Sequence, residues 1–491
     1  MSEFSDYLDH LIKCRRLKHV QAAEICKIDT STIFRWANGK VLPKSWERLE
    51  PVVKKLRLTP YEISMLKSAY EKELLGESQS QCFDEIMRIF RILGRKQGKR
   101  QDMADREEKM EACRRQEEDQ AGKGGDGHTG VFRLHGKMEV WRCIQNALDQ
   151  SLFQMGQNLY LKLHDIPDAL LLELKELCRK KTGRKMSILI CGEDGIADQV
   201  EMKLRRMRKV IDLLFQKGEV CIYYLNALDG GIWEGQNWII SDSFFLQFAN
   251  DMSVGMMTRD AGWIAFFREH MEQMEGRCPP VHKDTIEMME YVERANIEEG
   301  EQIASVEYMP CISMALTEKI LREQIYQEVP FREEMIHKII EEYPKDILGI
   351  GSLFSYFTKE GLMEFMESGR VEIFPYRVYK PLTMGQRCEI LGNLIALAER
   401  EPSIHLFLLK GGVLDLKGLH VEQRSGAGDS LWIEFQSEDG KKEEIAVADR
   451  DIQQAFKGFF SYLRKSGSVY KEIETLAYLK EVLGAYQKKG I

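Results

Sequence analysis

The sequence predicts a multidomain protein: an all-α head of five helices, a charged linker, and a C-terminal α/β region of two similar lobes. Apolar residues recur at helical spacing through the first part of the chain. The composition then becomes charged and glycine-rich, and helix and strand patterns alternate afterwards. We predict a head, a helix with a charged flexible linker, a first lobe and a second lobe, over residues 1–76, 77–130, 131–300 and 301–491.

Composition limits the class of protein. Of 491 residues, 44% are hydrophobic and 9% aromatic, enough to bury several cores. No run of about 18 apolar residues exists, and the start MSEFSDYLDH is too polar for a signal peptide. We therefore expect a cytoplasmic protein without membrane association. The 11 cysteines show no CxxC pair or zinc spacing, so neither a metal nor another cofactor is expected.

Charge is distributed unevenly. Residues 1–100 contain 20 Lys and Arg against 13 Asp and Glu, whereas the whole chain has a net charge of −8. A basic head on an acidic body is typical of a nucleic-acid-binding module joined to a domain that does not bind nucleic acid. Ordinary domains also differ in charge, so this asymmetry only supports other observations.

The first two helices of the head are predicted from apolar spacing. An amphipathic helix is expected over residues 4–17, with four apolar residues on one face. A short helix follows over 20–27, with Ala23 at its middle. A side chain as small as that of Ala23 lets the next helix cross closely.

The third helix is predicted within the eleven residues DTSTIFRWANG. Asp29 is suited to cap its start, and Gly39 is suited to the left-handed conformation that ends a helix. Ile33 and Trp36 are three residues apart and share one face. The helix therefore has an apolar underside and a polar exterior.

Three more helices are expected before the linker. The fourth begins near Lys44, and Pro51 should kink or shorten it. The fifth begins with a capping box over residues 59–62, with proline in the first helical position. The sixth, over residues 79–94, has an apolar seam suited to pairing across a dimer or to docking on the head. We favour dimerisation.

The second and third helices have the spacing of a helix-turn-helix. Counted from Ala23, Ile33 stands at +10 and Trp36 at +13, and two residues separate Trp36 from Gly39 and Lys40. On these residues the stretch resembles the Cro and phage-repressor (XRE-like) helix-turn-helix family, over about residues 4–75. The family usually has glycine at the turn, where this chain has Lys27.

This resemblance implies a sequence-specific transcriptional regulator that binds double-stranded DNA as a homodimer. Thr30, Ser31 and Arg35 are then expected to face base edges in the major groove, with Arg35 pairing with guanine. Phosphate contacts are expected from three residues around the third helix: Gln21, Asn38 and Lys40. By elimination, the body is a sensing or oligomerisation region for a small-molecule or protein effector.

The body reads as α/β. Its elements are expected at 165–181, 186–191, 196–217, 220–225, 238–240, 244–248 and 258–274. A similar order returns over residues 384–463, and an internal duplication would match Leu225 with Leu409 and Trp238 with Trp432. Two α/β lobes that are alike by chance would give the same pattern. A ligand cleft would lie at the aromatic connection between the lobes, over 352–369 and 374–381.

Duplicated lobes of this order weakly resemble phospholipase D-like domains. Catalysis in that family needs an HxKxxxxD motif from each lobe, and no copy of the motif is present. The sequence also lacks a P-loop and an HExxH motif. We therefore expect no enzyme. Two alternatives remain open: an enzyme of unknown class that carries a DNA-binding head, and a protein-interaction scaffold.

Overall fold

The computed structural model describes residues 2–98 and 130–489 with several internal gaps. The gaps fall at 154–157, 165, 180–184, 192–199, 215–218, 226–235, 279, 287–299, 343–350, 372–377, 412–413, 415, 427 and 437–441. The described part contains 16 α-helices and one large mixed sheet, with helices at the N-terminus and an α/β region beyond them. The charged linker predicted before residue 130 lies mostly outside the described residues.

Residues 2–76 form five α-helices around a small core. They are α1 (Glu3–Cys14), α2 (His19–Cys26), α3 (Thr30–Ala37), α4 (Glu50–Lys55) and α5 (Pro60–Leu75). A 3₁₀ turn over Trp46–Leu49 precedes α4, so Pro51 lies in the first turn of that helix and not in its interior. There the missing N–H of proline costs no helical hydrogen bond. The capping box of α5 is confirmed, because Thr59 Oγ1 accepts from the Glu62 N–H at 3.2 Å.

Eleven further helices complete the described part. They are α6 (Glu77–Gly98), α7 (Lys137–Phe153), α8 (Asp168–Arg179), α9 (Val200–Leu214), α10 (Ala261–Glu275), α11 (Glu318–Gln324), α12 (Arg332–His337), α13 (Lys359–Ser368), α14 (Met384–Arg400), α15 (Arg450–Lys465) and α16 (Glu472–Lys489). The predicted capping box at the start of α14 is present, with the Thr383 side chain accepting from the Gln386 N–H.

The described strands join into one 14-stranded sheet. They are β1 (Val131–His135), β2 (Leu159–Leu163), β3 (Lys185–Cys191), β4 (Glu219–Leu225), β5 (Gln236–Ile240), β6 (Phe245–Ala249), β7 (Val254–Thr258), β8 (Pro280–Ile286), β9 (Gln302–Glu307), β10 (Ser352–Phe357), β11 (Ile404–Leu408), β12 (Leu419–Ser425), β13 (Ser430–Gln436) and β14 (Lys442–Val447). Their order across the sheet is β1-β7-β6-β5-β2-β3-β4-β8-β14-β13-β12-β9-β10-β11.

This order repeats after seven strands. We call β1–β7 the first unit and β8–β14 the second unit. In each unit three strands pair in parallel, β2-β3-β4 and β9-β10-β11, and the other strands of the unit pair antiparallel. The units join through the antiparallel pair of β4 and β8. Trp238 lies on β5 and Trp432 on β13, which do not correspond, so that sequence match is wrong by one strand.

Corresponding helices lie on opposite faces of the sheet. In the first unit, α7, α8 and α9 pack on the face that forms the largest core, and α10 packs on the other face with Trp238. In the second unit, α15 contributes to the largest core, while α11, α12, α13, α14 and α16 cover the opposite face. The faces exchange because β8 runs antiparallel to β4 while the left-to-right strand order is kept.

Helix α6 connects the head to this body. Its apolar seam, including Phe83, Ile86 and Phe90, is buried in the largest core together with side chains of α9 and α15. The expectation that this seam pairs across a dimer is therefore wrong. The seam is already covered within the same chain, which removes the apolar surface that a partner would need.

Candidate nucleic-acid interface

The turn between α2 and α3 carries a lysine in a left-handed conformation. Lys27 has φ 56° and ψ 41°, and its N–H donates to the carbonyl of Glu24 at 3.2 Å. The next N–H, of Ile28, donates to the carbonyl of Ala23 at 3.0 Å. The turn thus has the backbone geometry for which glycine is usually selected, although a lysine side chain makes it strained.

The start of α3 is fixed by Asp29. Its carboxylate accepts hydrogen bonds from the backbone N–H groups of Ser31 at 2.8 Å and Thr32 at 3.3 Å. The hydroxyl of Ser31 also donates to the same oxygen. The hydrogen bonds from the hydroxyl and N–H of Ser31, then from Thr32, lower the pKa of Asp29. The cap therefore stays ionised at neutral pH.

The underside of α3 is anchored in the head. Ile33 is fully buried and Trp36 is 4% exposed, and Ala23 of α2 is fully buried beside them. Ala23, Ile33 and Trp36 are the three residues whose spacing predicts the helix-turn-helix. The helix is therefore held by its apolar face, so its outer residues need not contribute to packing.

The outer face of α3 is exposed in the presence of the body. Thr30, Ser31 and Arg35, the three residues expected to face bases, are all exposed. The Ser31 hydroxyl has its hydrogen engaged by Asp29, so its lone pairs remain for accepting. Phe34 is also 47% exposed on this helix, and its ring lies 5.9 Å edge-on from that of His19.

The three residues expected to hold phosphates lie around α3. Gln21 is exposed, and its Oε1 accepts from the Lys18 N–H at 2.8 Å, which leaves its NH₂ group as a donor. Asn38 is partly buried and its Nδ2 donates to the carbonyl of Phe34 at 2.7 Å. Lys40 is exposed, with Nζ 6.0 Å from the centre of the Phe34 ring. Gln21 and Lys40 retain donors toward solvent, whereas one donor of Asn38 caps the helix.

The basic residues at the end of α1 divide into two roles. Arg15 is used inside the head: Nη2 pairs with Glu62 at 2.8 Å, and Nε donates to the carbonyl of Leu56 at 2.6 Å. Arg16 and Lys18 are exposed. Only the latter two are therefore placed to reach a polyanion.

The head docks on the body through other elements. Lys67 of α5 donates to the Ser468 hydroxyl at 2.9 Å, and the Tyr462 hydroxyl of α15 donates to Glu71. Trp46 lies against Gly467. These contacts use α5 and the 3₁₀ turn, which is why the outer face of α3 remains exposed.

The first part of an HxKxxxxD motif occurs once in the sequence. One histidine has a lysine two residues on: His135 and Lys137 flank Gly136 at the end of β1, but Arg142 stands where an HxKxxxxD motif would have aspartate. Within the described ranges, no group of three His, Cys, Asp or Glu residues is arranged to hold a metal ion. None of the described helices has the length and apolarity needed to cross a bilayer.

Comparison with known proteins gives no family. No family model and no curated protein matches the chain. Among solved structures, TrmBL2, an archaeal chromatin protein reported to bind DNA in a novel mode, is 14% identical, and the match covers 37% of this chain and 68% of that one at a TM-score of 0.22.

Two enzymes overlap more of the chain. Polyphosphate kinase from Porphyromonas gingivalis is 9% identical over 72% of this chain and 56% of that one, with a TM-score of 0.23. Phosphatidylserine synthase from Haemophilus influenzae Rd KW20 is 9% identical over 73% of this chain and 93% of that one, also at 0.23. Scores this low assign neither a fold nor an activity.

Proposed function

We propose that this protein is a sequence-specific DNA-binding transcriptional regulator whose body is a sensing or oligomerisation region. The observation that supports this most is the division of α3: Ile33 and Trp36 are buried, while Thr30, Ser31 and Arg35 are exposed with the body in place. A short helix anchored underneath and polar outside is what the major groove admits.

The chemistry of the exposed face supports the same proposal. Arg35 offers two parallel donors that match the acceptors of guanine, and Thr30 offers a hydroxyl. Phe34 adds an apolar edge suited to the methyl group of thymine. Gln21, Lys18 and Lys40 surround this face with donors for phosphate oxygens.

We further propose that the body consists of two copies of one seven-stranded unit, with the boundary between α10 and β8. This boundary lies before residue 280, earlier than the sequence alone suggests, because β8 pairs with β14 as β1 pairs with β7. One small head buries little surface on DNA, so we propose that the protein acts as a homodimer on two half-sites. Since the seam of α6 is buried, the dimer contact belongs to the body.

The decisive experiment is selection of bound genomic DNA fragments by the purified full-length protein. A recurring motif is expected, and binding to that motif is then compared with binding to random DNA at one fixed salt concentration, because phosphate contacts depend on salt. Arg35→Ala is expected to weaken the selected site by about 5- to 150-fold, the range of a bidentate base contact. Its affinity for random DNA should change little.

Arg142→Ala is the matched control, since it removes an exposed arginine from α7 of the body. It should leave both affinities unchanged. Equal losses on both DNAs in Arg35→Ala would move Arg35 to the phosphate contacts. Failure to enrich any sequence would reject sequence-specific binding.

A further inference from the structure

A cavity of about 550 Å³ lies in the second unit, between the sheet and α15. Phe354 and Tyr356 of β10 line it from the sheet side, and Phe460 lines it from α15. This size falls in the range of sites for small metabolites. The cavity includes part of the aromatic stretch 352–369, where a cleft is expected from the sequence.

The charge of the cavity wall is positive. Lys457 and Arg464 of α15 line it, and none of its described lining residues is an aspartate or glutamate. Lys457 Nζ lies 3.2 Å from Asp429 Oδ1, so this carboxylate partly neutralises its charge. Arg464 instead places its guanidinium 4.6 Å from the centre of the Phe354 ring. A guanidinium over an aromatic ring keeps its N–H edge available for an anion.

A buried amide in the cavity lacks one hydrogen bond. Gln423 of β12 is 1% exposed, and its Nε2 donates to the carbonyl of Arg424 at 2.8 Å. Its Oε1 has no hydrogen-bond partner among the described residues. Buried polar atoms are nearly always paired, so this acceptor is available to a donor supplied by a ligand.

At the corresponding place in the first unit, the described side chains are aromatic and closely packed. There α10 packs on the sheet through Phe267, which stacks on Phe245 at 3.9 Å and contacts Trp238 at 5.1 Å between ring centres. In the second unit α15 is the corresponding helix. Aromatic side chains thus fill the contact of α10 with the sheet, whereas α15 and the sheet enclose the cavity.

We infer that this cavity binds a mononucleotide. The phosphate would pair with Arg464 and Lys457, the flat base would lie against the aromatic side chains, and an N–H or O–H of the ligand would donate to Gln423. Three more glutamines line the cavity; Gln454 donates to Asp429, and Gln79 and Gln302 carry the paired donor and acceptor that read a base edge. An uncharged apolar ligand would offer no anion to Arg464 and Lys457 and no hydrogen-bond donor to Gln423 Oε1.

The ligand would also touch the helix that carries the head. Gln79 belongs to α6, and Phe83 one turn further stacks on Tyr462 of α15 at 5.2 Å between ring centres. A ligand in the cavity would therefore change the packing of α6 against α15. This coupling to DNA binding rests on the proposed function, whereas binding of the nucleotide does not.

Binding is tested by calorimetric titration of the full-length protein, without DNA, with AMP, GMP, CMP and UMP. At least one is expected to bind with Kd below 1 mM, and the matching nucleoside without phosphate at least 10-fold more weakly. Arg464→Met removes the charge but keeps an apolar stem, and it should weaken binding at least 10-fold. Gln423→Leu should also weaken binding with little change in the melting temperature, because loss of the hydrogen bond to the Arg424 carbonyl is offset by removal of the unpaired Oε1.

Lys465→Met is the matched control, since it removes the neighbouring charge on α15 outside the cavity. Absence of binding by all four nucleotides below 1 mM would overturn the inference. Binding that Arg464→Met weakens no more than Lys465→Met does would overturn it as well, since the nucleotide would then bind elsewhere. Arg35→Ala should retain nucleotide binding, which separates this result from failure of the DNA-binding proposal.

Discussion

Glu85 of α6 accepts a hydrogen bond from Arg208 Nε of α9 at 2.6 Å, and it is only 2% exposed. Arg88 Nη1 lies 2.6 Å from the other carboxylate oxygen. One carboxylate therefore ties the helix below the head to the body.

Removing this carboxylate should loosen α6. We expect Glu85→Ala to cost about 1.5–3 kcal/mol of the free energy of opening α6, the range for hydrogen bonds to charged groups. Native-state amide exchange of residues 79–93 should accelerate accordingly. Glu73→Ala, an exposed glutamate on α5, is the control. Unchanged exchange would show that the apolar seam alone holds α6.

The turn at Lys27 offers a stabilising substitution. A left-handed residue with a Cβ costs about 1–2 kcal/mol, and the greater freedom of glycine in the unfolded chain offsets about half of that. Lys27→Gly should therefore raise the free energy of opening α2 and α3 by about 0.5–1 kcal/mol, measured by amide exchange. Lys27→Ala, which removes the charge but keeps Cβ, should give no such gain. Equal gains in both variants would identify charge as the cause.

The pair of Arg15 and Glu62 should make the head sensitive to acid. The hydrogen bond from Arg15 and that from the Thr59 N–H lower the pKa of Glu62 to about 2. A lowered folded-state pKa gives stability that is present above the ordinary value of 4.5 and lost as the pH falls toward 2.

The difference in melting temperature between wild type and Glu62→Gln should therefore be largest above pH 5 and shrink toward pH 2.5. Glu24→Gln, at an exposed glutamate of α2, is the control. A difference for Glu62→Gln that does not change with pH would contradict the assignment.

The contribution of His420 to stability should depend on pH in the opposite sense to that of Glu62. Burial alone would lower its pKa, but the carboxylates of Glu434, Glu307 and Glu422 together raise it to about 9. Its Nδ1 lies 3.0 Å from Glu434. A raised pKa gives stability that is complete below the ordinary value of 6.5 and lost as the pH rises toward 9.

Thermal melts should show this loss. The melting temperature of wild type should exceed that of His420→Gln most at pH 6, and the excess should decline by pH 9.5. His337→Gln, at an exposed histidine of α12, serves as the comparison. A constant excess for His420→Gln would mean that packing, not charge, explains its contribution.

Helices and strands with a clear local signal, such as a capping box or an apolar run, were predicted from the sequence. The capping boxes at Thr59 and Thr383 mark the starts of α5 and α14, and the apolar runs mark β3 and β4. Six strands were not predicted: β1, β2, β7, β8, β9 and β10. β1 is mostly exposed, and each of the six pairs with a strand distant in the sequence, which no local pattern records.

The candidate nucleic-acid interface on α3 could be predicted from the sequence only in part, as the fold could. Spacing alone indicated which residues of α3 are buried and which are left outside. It did not indicate that the Ser31 hydroxyl donates to Asp29, or that the Asn38 amide donates to Phe34, because these depend on side-chain rotamers. The cavity beside Gln423 depends on the fit of α15 to the sheet, so only the assembled chain reveals it.

The exchange of faces between the two units has a consequence for how this body can be divided. The largest core collects Leu161 and Ile188 from the first unit together with Ile433 and Phe456 from the second. Each half has a core of its own on one face of the sheet, but the largest core is shared, so a cut between α10 and β8 would leave two fragments with exposed hydrocarbon.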